Sequence, residues 1–345
     1  MARNLYSYRP ILITGGAGFI GSNFIPFFLR QNPLVHVINL DKLTYAGNLE
    51  NLIEVENNEH YTFLKGDICD EELVEQIFDQ HKIEGVIHFA AESHVDNSIE
   101  KPADFIKTNI RGTFTLLEAA RKFWLNSIGQ TRKGFENARF HHISTDEVYG
   151  SLGATGFFNE ETPYAPNSPY SASKASSDFL VRSYFHTYGL PVITSNCSNN
   201  YGPHQHDEKL IPTIIRKALA NEPIPIYGDG QNIRDWLYVI DHCRGIDAVF
   251  NKGEIGQTYV IGGNSESNNL YIAQTICSTL DDLAPKKGDS YKKQIKFVKD
   301  RPGHDFRYAI DATKIKKALG WQPKESFDSG IRKTIAWYLN KYQKV

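Results

Sequence analysis

Ile11-Leu12-Ile13-Thr14-Gly15-Gly16-Ala17-Gly18-Phe19-Ile20-Gly21-Ser22 is the stretch that decides the fold. A short apolar run meets a cluster of glycines, and a helical pattern follows through Phe24, Phe27, Phe28 and Leu29. That order predicts strand, tight turn, helix. Gly15, Gly18 and Gly21 have GxxGxxG spacing. Glycine lets the backbone turn sharply and approach a pyrophosphate, while the helix N-terminus offers amide donors and partial positive charge. Asp41 ends the next apolar run, 20 residues after Gly21. A carboxylate there accepts hydrogen bonds from an adenine ribose and repels a 2′-phosphate, which favours NAD over NADP. A glycine pattern alone is weak evidence; here the strand, the helix and the acid all fall in place.

Further β-branched runs lie at 35–40, 61–64, 85–89, 139–144 and 191–195, with helical patterns at 73–81, 105–123 and 171–188 between them. Strand alternating with helix predicts a Rossmann-type, doubly wound parallel sheet covered on both faces. After Tyr201 the rhythm changes. Short strands at 224–227 and 235–239 mix with helices at 211–220 and 270–283, giving a smaller, interleaved α/β part. Residues 256–261 are expected to return to the main sheet, 285–293 to form a solvated linker, and 330–342 an amphipathic helix.

Of the 345 residues, 41% are hydrophobic and 23% charged, as in an ordinary globular protein. A formal net charge of -2 gives no general attraction to nucleic acid or to anionic membrane, so neither partner is expected. None of the four cysteines (Cys69, Cys197, Cys243, Cys277) lies in a CxxC pair, and no His/Cys/Asp spacing suggests a metal. No apolar signal core opens the chain and no segment is apolar enough to span a bilayer, so a cytoplasmic location is expected.

Tyr170 and Lys174 are four residues apart on a predicted helix and share a face. A free tyrosine ionises near pH ~10, too high for a base at neutrality. A neighbouring ammonium and a positively charged nicotinamide ring both favour the phenolate, which could then take a proton from a secondary alcohol. Tyr and Lys at this spacing are also common surface neighbours. The preceding Ser168-Pro169 and the glycine turn favour the catalytic reading.

Thr14–Ser22, Ala90-Ala91 and Tyr170-Ser171-Ala172-Ser173-Lys174 resemble the extended short-chain dehydrogenase/reductase superfamily. Within it, Ala90-Ala91-Glu92-Ser93-His94-Val95-Asp96, Ile143-Ser144-Thr145-Asp146-Glu147-Val148-Tyr149-Gly150, Asn196-Cys197-Ser198-Asn199-Asn200-Tyr201-Gly202-Pro203 and Asp300-Arg301-Pro302-Gly303-His304-Asp305 resemble the dTDP-glucose 4,6-dehydratase family. The resemblance implies NAD-dependent oxidation of the sugar at C4, loss of water across C5 and C6, and return of the hydride to C6. It implies Tyr170 as base on O4, Lys174 as its support, Glu147 as base on C5, Asp146 as acid toward O6, and Thr145 as a hydrogen-bond partner of O4. Such chemistry needs one protonated and one ionised carboxyl. Consecutive residues on a strand point to opposite sides, so both acids reach one sugar only if the backbone there is irregular.

Residues 1–200, with parts of 235–262, are then expected to form the NAD-binding domain, and 201–345 mainly the nucleotide-sugar-binding domain. The implied cofactor wall takes in Gly15, Gly18, Phe19, Ile20, Gly21, Asp41, Lys42, Leu43 and Thr44. It continues through Asp67, Ile68, Ala90, Ala91, Ser93, Thr108, Tyr170, Lys174 and Asn200. The implied substrate wall takes in Ser93, His94, Thr145, Asn199, Lys209, Leu210, Pro225, Ile226, Tyr227 and Asn269. Arg234 and Arg301 are candidates for the diphosphate side, where a planar guanidinium donates paired hydrogen bonds, and His304 is a further candidate for the substrate wall. Asn97 and Phe306 stand where family members commonly have arginine, so a UDP-sugar stays an alternative to dTDP-glucose. Family members pair through two helices, here near 109–123 and 171–188, which implies a homodimer. The competing activity on this fold is that of an epimerase or decarboxylase, and Asp146-Glu147 argues against the epimerase. A non-catalytic NAD-sensing regulator is the competing class; such proteins tend to lose Tyr or Lys of the Tyr-x-x-x-Lys pair, and both are present.

Overall fold

The computed structural model describes residues 8–300 and 304–343. Seven parallel strands form the central sheet: β1 (Arg9–Thr14), β2 (Val35–Asp41), β3 (Tyr61–Lys65), β4 (Gly85–His88), β5 (Arg139–Thr145), β6 (Val192–Cys197) and β7 (Thr258–Ile261). Their order across the sheet is β7-β6-β5-β4-β1-β2-β3. β7 is the returning segment expected from the sequence, and it pairs in parallel with β6.

Both faces of the sheet are dry. Leu12 of β1 packs with Val86, Leu116, Phe78 and Val181 on one side. Its neighbours Ile11 and Ile13 pack with Phe24, Phe28, Ile246 and Phe250 on the other. The period-2 alternation of a strand therefore feeds two cores at once, which is why these runs are apolar throughout. The chain winds outward from β1 in both directions, so the strand order reverses between β1 and β4. Ligands of open α/β sheets bind beyond the carboxyl ends of the strands at such a switch point.

The expected helix at 105–123 is longer and irregular. Pro102–Phe105 is α-helical, Ile106–Gly112 a π-helical stretch and Thr113–Trp124 α-helical again. A Cβ on Gly112 would come within 2.4 Å of Ile68, so the helix lies hard against the wall that carries Ile68. Hydrophobic spacing does not record this widened turn.

In the second half, Ile233–Tyr238 lies between Asn199–Tyr201, in parallel, and Glu266–Asn268, antiparallel. Ile224–Tyr227 pairs in parallel with Ile295–Val298. A separate core of Tyr201, Ile214, Trp236, Ile276, Ile335 and Tyr338 joins these to the terminal helix Phe327–Gln343. The expected linker at 285–293 is largely exposed, as its charge predicts, but it is anchored. It makes a tight turn closed by a Lys286–Asp289 bridge, and Tyr291 is buried, donating its hydroxyl to the Ala284 carbonyl at 2.7 Å. No helix of the described residues is long and apolar enough to cross a membrane.

Candidate active site

One cleft runs along the carboxyl edge of the sheet, and the glycine turn forms its floor. The three spaced glycines are required for different reasons. Gly15 has φ +72°, and a Cβ there would lie 2.6 Å from the Ala90 amide nitrogen. A Cβ on Gly21 would lie 2.5 Å from the Gly15 carbonyl oxygen, so it permits close helix–strand packing. Gly18 is different: a Cβ would meet only the Gly15 oxygen, at 3.3 Å, and would otherwise fill the cleft itself. The protein does not need glycine at 18 for its own packing; a pyrophosphate on the N-terminus of helix Phe19–Gln31 does.

Asp41, at the end of β2, is fixed by the Ala17 amide at 2.9 Å and the Leu43 amide at 2.8 Å. Burial pushes its pKa up and those amides oppose it. The carboxylate is thereby oriented toward the cleft where an adenosine ribose would lie. Asp67 accepts from Lys42 at 2.9 Å and from the Cys69 amide at 3.0 Å. These features fit NAD. Every residue of the expected cofactor wall lines this cleft except Leu43. Leu43 gives its amide to Asp41 while its side chain packs on the core beside β1 and β2.

β5 ends at Thr145, and the chain enters a 3-10 turn at once, Asp146–Tyr149. The Thr145 hydroxyl caps that turn by accepting from the Glu147 amide at 3.3 Å. This is the irregular backbone that two adjacent acids require, and Thr145, Asp146 and Glu147 all line the cleft with Tyr170 and Lys174. Asp146 is 1% exposed. Burial drives its pKa well up, the Glu147 and Asp235 charges add to this, and Arg234 opposes. The surroundings of Asp146 favour the protonated form.

Helix Pro169–Tyr188 carries Tyr170 and Lys174. Its start is fixed by reciprocal capping between Ser168 and Ser171, with Pro169 at the first position. Asn109, from the π-helical stretch, donates to the Ser173 hydroxyl at 2.8 Å and clamps the backbone of Glu92, 2.8 Å from its amide and 3.0 Å from its carbonyl. One asparagine thus ties the helix that carries Tyr170 and Lys174 to the segment after β4. Lys174 is buried and donates to the Ile143 carbonyl at 2.8 Å. Burial holds the Tyr170 phenol well above its ordinary pKa, Glu147 reinforces this, and a hydrogen bond with Thr145 opposes it. The protein alone therefore keeps Tyr170 protonated, and its use as a base depends on positive charge brought beside it.

Of the expected substrate residues, Ser93, Thr145, Asn199 and Lys209 line the same cleft. None of the other described candidates lines it. His94 caps helix Val95–Glu100. Leu210 and Ile226 belong to the second core, where Ile226 is 1% exposed. Pro225 is half-buried and Tyr227 exposed on the strand they share. Tyr227 stands edge-on to His304, whose Nδ1 lies 2.7 Å from Asp300. Asn269 opens helix Asn269–Leu283 and donates its amide to the Asn232 carbonyl. Arg301 lies outside the described residues. Arg234 departs most from expectation: its guanidinium is buried, stacks on Tyr308 at 4.2 Å, and donates to the carbonyls of Ile233 (2.8 Å), Asp305 (3.0 Å) and Phe306 (3.4 Å). It braces the segment after Asp305 and bears electrostatically on Asp146.

Sequence reasoning missed Glu92, Gln205, His206 and Glu208, all of which line the cleft. The last three sit on an irregular segment with no periodicity to betray which side chains turn inward. Among the described residues no group of three His, Cys, Asp or Glu could hold a metal ion.

With this geometry in place, comparison with known proteins is informative. The family model described as GDP-mannose 4,6 dehydratase matches residues 12–334. A dTDP-glucose 4,6-dehydratase of Xanthomonas campestris pv. campestris (strain B100) is 56% identical over 329 residues, covering 95% of this chain and 92% of the relative. One from Neisseria meningitidis serogroup B is 55% identical over 336 residues, covering 96% and 94%. The chain belongs to the dTDP-glucose 4,6-dehydratase family. The solved structure of the Bacillus anthracis dTDP-glucose 4,6-dehydratase in complex with NAD is similar at 45% identity and TM-score 0.85, covering 97% of this chain and 98% of that one. The Streptomyces venezuelae dTDP-glucose 4,6-dehydratase, with NAD and TYD bound, has 42% identity and TM-score 0.87 over the same shares. A UDP-glucose 4-epimerase from Thermotoga maritima shares the fold at 30% identity and TM-score 0.83, covering 96% of this chain and 99% of that one.

Proposed function

We propose that this chain holds NAD in the cleft and converts dTDP-glucose to dTDP-4-keto-6-deoxyglucose with loss of one water. The observation that carries the reading is the acid pair in the 3-10 turn after β5, facing the same cleft as Tyr170 and Lys174. NAD, when bound, accepts the hydride from C4 and gives it back at C6.

The chain's own residues manage the protons. Tyr170 takes the O4 proton, with the Lys174 ammonium and the Thr145 hydroxyl favouring the phenolate. The ketone at C4 acidifies the hydrogen on C5, and Glu147 removes it. Asp146, kept protonated by burial and by the Glu147 charge, donates to the departing O6 hydroxyl. Water leaves, C6 is reduced, and Glu147 returns a proton to C5. Glu147 ends as it began, whereas Tyr170 has gained a proton and Asp146 has lost one, so release of the Tyr170 proton and return of one to Asp146, through solvent, resets the site.

Residues 1–200 with parts of 235–262 serve the cofactor in this proposal, and 201–345 mainly the nucleotide sugar. The enzyme acts in the cytoplasm as a homodimer. Ile106 and Phe114 on the run from Pro102 to Trp124, and Phe179 on helix Pro169–Tyr188, are exposed apolar side chains on the two helices expected to pair. Exposed apolar side chains of this kind suit an isologous interface.

The test supplies dTDP-glucose, UDP-glucose and UDP-N-acetylglucosamine side by side and follows mass loss of one water. Turnover is expected with dTDP-glucose, giving a product that absorbs in alkali without added NADH. Formation of only a C4 epimer would reject the dehydratase.

A further inference from the structure

Residues 203–209 cross the cleft between strand Asn199–Tyr201 and helix Leu210–Leu219, and are gripped from both sides. On the cofactor side, Asn23 donates to the Pro203 carbonyl at 2.9 Å, Ser22 meets His204 Nδ1 at 3.2 Å, and Lys209 reaches the Ser93 carbonyl at 3.0 Å. On the far side stands the terminal helix. Tyr338, 0% exposed, donates its hydroxyl to the Gln205 carbonyl at 2.5 Å, and Tyr342 donates to Asp207 at 3.0 Å. His204 stacks on Trp337 with ring centroids 5.0 Å apart, and its backbone sits at φ +69°. A non-glycine residue in that region is held there by its surroundings.

The side chain so positioned is Gln205. Its Nε2 donates to the Asn200 carbonyl at 2.9 Å, which fixes the amide. Its Oε1 is buried, lies on a residue lining the cleft, and has no hydrogen-bond partner among the described residues. The Oδ1 of Asn200, the residue whose backbone carbonyl holds Gln205, is in the same condition. Buried acceptors without donors are costly to the fold unless a ligand supplies the donors.

We infer that Gln205 is a cofactor-contacting residue whose side-chain oxygen accepts a hydrogen bond from the nicotinamide half of NAD, and that Tyr338 is the positioning residue that holds it there. The inference rests on the reading that this cleft binds NAD. The chemistry narrows the contact. A carbonyl oxygen needs a donor, which phosphate oxygens are not, and the nicotinamide half offers ribose hydroxyls and the carboxamide NH2. Asn200, to which Gln205 is bonded, follows β6, whose end adjoins the end of β5 that carries Thr145. That is the end of the cleft where Tyr170 and Lys174 stand.

The test measures release of bound NAD from purified holoenzyme, chased with excess etheno-NAD and followed by fluorescence. Wild type should retain NAD through gel filtration. Gln205→Leu removes the acceptor, and Gln205→Asn retracts it while keeping an amide; both should release NAD at least about fivefold faster. Tyr338→Phe deletes one hydroxyl and should also speed release, but add nothing in the Gln205→Leu background, because it acts through the same contact. Release at the wild-type rate from both Gln205 variants would overturn the cofactor contact. Full additivity of Tyr338→Phe would overturn its positioning role. Wild-type protein that takes up no NAD would instead overturn the underlying reading, and the inference with it.

Discussion

Asp178 stands one helical turn beyond Lys174, on the same face of helix Pro169–Tyr188, and both side chains are buried. The carboxylate accepts from Ser144 and Tyr164, each at 2.9 Å, and from Asn196 at 3.1 Å, while His142 Nε2 lies 3.1 Å from its other oxygen. Burial lowers the Lys174 pKa, and the Asp178 charge opposes that. One carboxylate therefore fixes the carboxyl end of β5 and offsets part of the burial that disfavours the Lys174 ammonium.

Asp178→Asn keeps the shape and removes the charge. Lys174 then loses its counter-charge, less positive charge stands beside Tyr170, and the phenolate is less favoured. The rising acid limb of kcat/KM for C4 oxidation should move up by about one pH unit. A loss of thermal stability with an unmoved limb would leave Asp178 a purely structural hub.

Glu147→Gln separates oxidation from elimination. Tyr170, Thr145 and Lys174 are untouched, so dTDP-glucose should still be oxidised at C4 and NADH absorbance should rise. Exchange of the C5 hydrogen with solvent should fall by about 100-fold or more. Exchange at the wild-type rate, followed by mass spectrometry in deuterated water, removes Glu147 from its role.

Gly15 and Gly18 should fail differently as alanine. Gly15→Ala places a Cβ 2.6 Å from the Ala90 nitrogen at φ +72°, so stability should drop by about 2 kcal/mol or more. Gly18 has φ -78°, which alanine adopts freely, so Gly18→Ala should leave the fold within about 0.5 kcal/mol of wild type. Its methyl group occupies the pyrophosphate approach and should weaken NAD binding about tenfold or more. Denaturation curves with and without NAD distinguish the two; equal NAD affinity in Gly18→Ala and wild type would contradict the cradle.

These contrasts show what the chain discloses before it is folded. The strands around β1 were legible because a strand buried on both faces must be apolar throughout, and the glycine turn because close approach leaves no alternative residue. Ile295–Val298 was missed because it is four residues long and largely exposed. Asp146 and Glu147 could be named by resemblance, but the turn that brings both inward is set by the Thr145 cap, a local choice invisible to hydrophobic period. Gln205 and Arg234 depend on partners 133 and 71 residues away, Tyr338 and Asp305, and only tertiary structure supplies those.

His242 tests the pH dependence of the fold. It is 0% exposed, neither ring nitrogen has a hydrogen-bond partner among the described residues, and burial lowers its pKa to about 3. His142 and His204 are likewise lowered, each to about 4, and His88 and His141 well below the ordinary value. The unfolded chain takes up protons near pH ~6.5, before the folded one does. The stability that these neutral histidines contribute is therefore fully present above about pH 6.5 and falls as pH drops toward the folded values, by about 1.4 kcal/mol per pH unit for each. His242→Leu removes one titrating group and two unsatisfied polar atoms. The variant should match or exceed wild-type stability at pH 7, and its denaturation midpoint should fall less steeply between pH 7 and pH 5. A slope identical to wild type would show that His242 finds a proton partner in the folded protein.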